Sequence, residues 1–147
     1  MRSQRTRQTA SNDTLLATYN LFDKTSRALI ASLELLERDL TNYAVAAISL
    51  LLISALRLSI RNLRLSLRKA DCDRSLAERI TYGYIARYVD LTSHIKDARS
   101  EARARKPQMV FALLDDGLRD VERELADFNT EIDYIIEKKI KENQRSE

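Results

Sequence analysis

Gly83, Gly117 and Pro107 are the only glycines and proline in this chain of 147 residues. Hairpins depend on glycine, asparagine–glycine or proline turns, so a sequence this poor in them lacks the corners of a β-sandwich or barrel. Leu, Ala, Arg and Glu dominate instead, and all four are strong helix formers. The expectation is an all-α fold. The length suits one compact domain plus an arm, and 44% hydrophobic content is enough for a core.

Apolar periodicity predicts about four long helices in a bundle, over residues 13–40, 43–69, 75–105 and 108–140, with a basic N-terminal arm over 1–12. Ser11, Asn12 and Asp13 offer N-caps to the first helix. Within it Leu15, Tyr19, Phe22, Leu29, Leu33, Leu36 and Leu40 recur at helical spacing, and Ser26 occupies the one gap. Thr41-Asn42 reads as a break. From Tyr43 to Leu56 the second helix is apolar almost all round, as expected of a central helix buried in a bundle or between subunits. Ser75 and Glu78 match a capping box for the third helix. Its apolar stripe is Leu76, Ile80, Tyr84, Tyr88, Leu91, Ile95, Ala98 and Ala102. Pro107 ends that helix and can serve as the first residue of the fourth. There Phe111, Leu114, Leu118, Val121, Leu125, Phe128, Ile132 and Ile135 alternate three and four residues apart. This heptad seam packs nearly parallel or antiparallel to a neighbour. Leu114, Leu118, Val121, Leu125, Phe128 and Ile132 are the expected subunit-packing residues, and Gly117 is a candidate local break among them.

The net charge of +3 conceals a polarity. Residues 1–12 carry three arginines and residues 57–70 five positive charges, with no acid in either segment. Residues 107–147 carry eleven acids against six bases. Arg57, Arg61, Arg64 and Arg68 stand four, three and four apart, so on a helix they share one stripe roughly 16 Å long. Leu56, Ile60, Leu63 and Leu67 flank the stripe on one side, and Leu58 and Leu65 on the other. That pattern predicts a helix clamped between neighbours, with its arginines along a groove. Like charges so aligned repel one another unless an anion lies against them. Two sources of anion compete. One is the fourth helix, with Asp116, Asp120, Glu124, Asp127 and Glu131. The other is a phosphate polymer, whose oxygens arginine forks grip without reading bases.

Catalytic chemistry has little to build on. His94 is the only histidine, and Leu91 stands three residues before it, so the Glu-x-x-His pairs of di-metal bundles are absent. No glycine-rich phosphate loop is present. Neither a catalytic site, a metal site nor a cofactor is expected. Asp115 and Asp116 read as ion-pair partners or solvated surface. Tyr82, Tyr84 and Tyr88 with Arg79 and Arg87 form a candidate stacking patch, although Tyr84 and Tyr88 follow the apolar stripe. Cys72 is the single cysteine, so no internal disulfide forms, and its neighbours Asp71 and Asp73 raise the cost of a thiolate. The first 14 residues lack the apolar core of a secretory signal, and their Arg/Ser/Thr-rich composition is closer to a transit peptide. The 17 uncharged residues from Leu40 to Leu56 sit at the lower limit of a membrane span.

The arm with Arg2, Arg5 and Arg7, the stripe from Arg57 to Arg68 and the all-helical layout resemble the major capsid proteins of filamentous and rod-shaped archaeal DNA viruses. The resemblance implies a structural protein of a virion nucleocapsid, coating double-stranded DNA non-specifically through arginine–phosphate contacts. It further implies DNA held in A-form, and subunits assembled as a homo-oligomer or with a paralogous partner. Arg2, Arg5, Arg7, Arg57, Arg61, Arg64, Arg68 and Lys69 would then face the nucleic acid. The acidic fourth helix is not matched in that layout. The residues leave two alternatives open. One is a helical-bundle interaction protein whose stripe pairs with acidic helices. The other is a membrane-associated helical protein using Leu40 to Leu56.

Overall fold

The computed structural model describes residues 4–39, 43–69, 74–105 and 107–145, with side chains described for 12–39, 43–69, 74–105, 107–135, 137, 138 and 141. Four helices account for nearly all of it: α1 (Gln4–Arg38), α2 (Tyr43–Lys69), α3 (Arg74–Ala104) and α4 (Met109–Arg145). The fold is the expected all-α bundle. Its helix ends differ from expectation in four places, one being that α4 runs on to Arg145, past the expected end at residue 140. α1 begins at Gln4, so most of the expected arm is helical and Ser11, Asn12 and Asp13 lie inside the helix instead of capping it. Nothing from residue 4 to 13 breaks a helix, and Gln, Arg and Ala favour one. α4 begins at Met109, and the Gln108 carbonyl accepts the Ala112 N–H at 3.1 Å, so Pro107 precedes the cap and is not the first helical residue. Ser75 is the second residue of α3, and Glu78 takes a 3.0 Å hydrogen bond from Arg74 in place of a capping box. Arg2, Thr41-Asn42 and Cys72 lie outside the described residues.

The neighbours are α1 with α2, α2 with α4, α4 with α3 and α3 with α1, which sets α2 and α3 at opposite corners. α1–α2 and α3–α4 are antiparallel hairpins. The hairpins lie side by side in the same sense. Across α1–α3, Asp23 meets Arg87 and Glu34 meets His94; across α2–α4, Arg57 meets Glu124 and Arg64 meets Glu131.

The heptad seam of α4 is buried along its whole described length inside this one chain. Leu114, Leu118, Val121, Leu125, Phe128 and Ile132 are therefore core residues of the monomer and do not pack subunits together. Four helices on one chain already enclose them. Phe128 meets the Tyr84 ring edge-on at 4.6 Å, and Tyr84 meets Phe22 at 5.5 Å, so one aromatic cluster ties α1, α3 and α4 together. The Tyr84 hydroxyl donates to the Leu125 carbonyl, and burial pushes its phenol well above the ordinary value.

Small residues set the spacings. A Cβ on Gly83 would fall on the Tyr19 hydroxyl, so the missing side chain is what lets that ring lie across α3. A Cβ on Gly117 would stand 3.3 Å from an Ile53 methyl, and α4 runs through Gly117 unbroken to meet α2 there. Between α1 and α2, the Ser49 hydroxyl bonds that of Ser32 at 2.9 Å. The Ser32 hydroxyl donates to the carbonyl of Leu29 in its own helix, so the pair is buried without an orphaned polar atom.

α2 is a corner helix and not a central one. Ala46, Ser49, Ile53, Leu56, Ile60, Leu63 and Leu67, alternating three and four apart, form its buried face. Its opposite face has no neighbour among the described residues.

Candidate nucleic-acid interface

The arginine stripe lies along the edge of α2 that faces α4, and α4 answers it with acids at matching intervals. Arg57 donates from Nε to Glu124 Oε1 at 2.9 Å, with Asp120 at 3.9 Å. Seven residues on, Arg64 grips Glu131 with two bonds, Nη2 to Oε1 at 2.6 Å and Nε to Oε2 at 3.2 Å. Arg68 reaches the same carboxylate at 2.7 Å. The Arg64 guanidinium also lies 5.9 Å over the Phe128 ring. The charge states respond. Hydrogen bonding from Arg64, and secondarily from Arg68, lowers the pKa of Glu131 against the opposing effect of burial. The hydrogen bond to Glu124 raises that of Arg57. The acidic fourth helix is thus the anion that three of the four aligned arginines face.

Arg61 is the exception. It is exposed, and among the described residues it has no ion pair or side-chain hydrogen bond; the same holds for Lys69. An open groove of about 410 Å³ runs beside it, lined by Ile60, Arg61, Arg64, Leu65, Arg68 and Glu124. Three guanidiniums and one carboxylate around such a groove can take a phosphate. Arg5 and Arg7 belong to the first turns of α1, and their side chains lie outside the described residues. The antiparallel hairpin carries that end of α1 to the same end of the bundle as Arg68 and Lys69.

Other ion pairs join the helices elsewhere in the bundle. Asp115 is buried on α4 and takes Arg99 at 2.9 Å and Arg103 at 3.5 Å, so the basic end of α3 is partly neutralised inside the molecule. Arg87 holds Asp23 at 3.0 Å. Tyr84 is core, Tyr88 half-buried and Tyr82 exposed, so the tyrosines do not form one stacking platform. Among the described residues no three His, Cys, Asp or Glu side chains are grouped to hold a metal ion.

One surface is absent from the sequence expectations. The stripe's second apolar flank, Leu58 and Leu65, is not clamped by a neighbour. It belongs to a seam of Ala44, Ile48, Leu51, Ala55, Leu58, Asn62 and Leu65, all exposed, at spacings of four, three, four, three, four and three. Its large members stand between 44% (Leu65) and 72% (Leu51) exposed. That spacing was the signal available in the sequence, hidden because the buried seam interleaves with it. α2 is also long and apolar enough to cross a membrane, with 33% of its most apolar stretch buried in the bundle. No family model, curated protein or solved structure matches this chain.

Proposed function

We propose that this chain is a structural interaction protein, a helical bundle that acts through helix faces that dock other macromolecules. In this reading the arginine stripe mainly serves the protein's own α4. The observation that carries it is the outer face of α2: Ile48, Leu51, Leu58 and Leu65 stand exposed along one seam of a bundle whose core is already closed. A contiguous exposed apolar strip marks a contact surface. The test is the size of the native particle in an extract of its source cells. The wild-type chain is expected to run well above its own 17.0 kDa, and Leu51→Glu with Leu58→Glu to fall back to it. A wild-type chain running at its own mass in the extract rejects the reading.

A second reading keeps the phosphate partner, supported by the unpaired Arg61 and Lys69 and by the basic end that Arg68 and Lys69 share with the start of α1. Here the protein coats double-stranded DNA without reading its sequence, in a virion or other nucleoprotein filament, with copies of itself or a related subunit alongside. Arg61, Arg68 and Lys69 make the phosphate contacts. Each one releases counterions, so Arg61→Ala with Lys69→Ala should reduce the slope of log affinity against log salt by about 0.9 for each phosphate no longer neutralised. An unchanged slope removes these residues from any DNA site.

A further inference from the structure

We infer that the outer seam of α2 is closed by the same seam of a second copy of this chain, running antiparallel. The inference rests on the interaction reading and names its partner. Ala44 to Leu65 is a strip about 32 Å long with the alternating spacing of a coiled-coil seam. A helix with two such seams on opposite faces, one buried in its own bundle, is built to be gripped from both sides.

Charge decides which partner and which direction. From Tyr43 to Leu56 α2 is uncharged; from Arg57 to Lys69 it carries five cations and no acid. A parallel copy would set the two Arg61 side chains, and then Arg68 and Lys69, beside their own equivalents. An antiparallel copy lays each cationic half along the other's neutral half. The register that layers Leu51 on Ala55 of the second copy and Ile48 on its Leu58 places the twofold near residue 53. The two Arg61 residues then stand roughly 24 Å apart along the axis, about three screening lengths at physiological salt. Asn62 falls at the end of the strip against Ala44, where water still reaches its amide. Asp116, exposed on α4 and held by Arg119 only at 3.8 Å, lies on the same edge, between the twofold and the Arg61 of the second copy. An anionic bilayer is the poorer occupant, because the exposed charges on the helices either side of the neutral half offer it no net attraction: Glu34, Glu37 and Asp116 stand against Arg27, Arg38 and Arg119. The contact is isologous and closes on itself. One helix width is at the low end of specific interfaces, so the dimer should dissociate in roughly the micromolar range.

The test uses the purified full chain. In sedimentation equilibrium the wild type is expected to approach twice 17.0 kDa as its concentration rises, and Leu51→Glu with Leu58→Glu to remain at 17.0 kDa with an unchanged helical circular dichroism spectrum. In a Cys72→Ser background, Ala44→Cys with Asn62→Cys should form an intermolecular disulfide, and Ala44→Cys alone should not. A wild type monomeric at about 100 µM overturns the proposal. If that chain still runs large in the cell extract, the interaction reading survives and only the second copy is rejected as partner; if it runs small there too, both fall. Cross-linking by Ala44→Cys alone means a parallel pair and overturns the direction. A dimer indifferent to Leu51→Glu with Leu58→Glu, or an open series of species beyond the dimer, overturns the surface. Binding of a monomeric wild type to vesicles of anionic phospholipid assigns the strip to a membrane instead.

Discussion

Glu131 shows how one side chain can decide what a charge pattern means. Its carboxylate holds Arg64 through two bonds and Arg68 through a third, and the hydrogen bond from Arg64 does most to lower its pKa. A carboxyl held below its ordinary value of 4.5 favours the folded state once the unfolded chain's carboxyl has ionised. The contribution is therefore complete above that value and is lost as pH falls through the lowered one. Glu131→Gln should cost about 1 kcal/mol at neutral pH, since Glu131 and both of its arginine partners are partly solvated. That is a fall of roughly 2–4 °C in melting temperature for a chain of this size. As pH falls through the lowered value the melting curves of the two proteins should converge; a gap that persists in acid would mean that the charge of Glu131 is not what matters. Arg61 is the contrasting residue. It has the same place in the spacing as its three neighbours, and α4 offers it no carboxylate.

At the level of elements, leucines with one spacing meet two fates. Leu118 on α4 and Leu63 on α2 are fully buried, whereas Leu51 and Leu58 on α2 are largely exposed. Leu118→Ala should cost about 2–5 kcal/mol through the cavity it leaves, and Leu51→Ala less than about 0.5 kcal/mol in the monomer. Chemical denaturation of the monomeric chain reads both values; equal costs would mean that α2 is covered on both faces. This pair also marks how far the sequence could be read. Periodicity identified four helices and most of their inward residues, because a 3.6-residue turn sorts side chains onto faces whatever the fold. It cannot say what covers a face. Leu58 and Leu65 looked like a second clamped flank because they are as apolar as Leu56 and Leu63. The α4 seam looked like a subunit contact because a heptad pattern calls for a neighbouring helix without saying whether that helix belongs to the same chain. At the N-terminus, Ser11, Asn12 and Asp13 have the chemistry of caps, but helix formers on both sides carry the backbone through them.

At the scale of the whole molecule, the two hairpins lie in the same sense, which makes α2 and α4 parallel neighbours with no loop joining them. Short connections fix how far α1 can slide on α2, and α3 on α4. No such constraint acts between α2 and α4, and apolar seams tolerate slippage because one leucine resembles the next. The stripe supplies what the seams lack. Arg57 and Arg64 are seven residues apart, as are Glu124 and Glu131, and the two pairs engage together. A slip of one turn, about 5.4 Å, breaks both pairs, although in one direction it offers Arg57 and Arg64 new partners in Asp120 and Asp127. It also drives the Ile53 methyls off Gly117 and onto residues that have a Cβ. Parallel helices add a reason for such a lock, since their aligned dipoles repel and do not attract. The aligned arginines then work as a vernier between two halves of the chain, each tooth worth little, and the close fit of Ile53 on Gly117 selects which match between the scales is kept. A row of like charges on this protein needs no ligand to explain its straightness. It has to be straight because the helix it is measured against is straight.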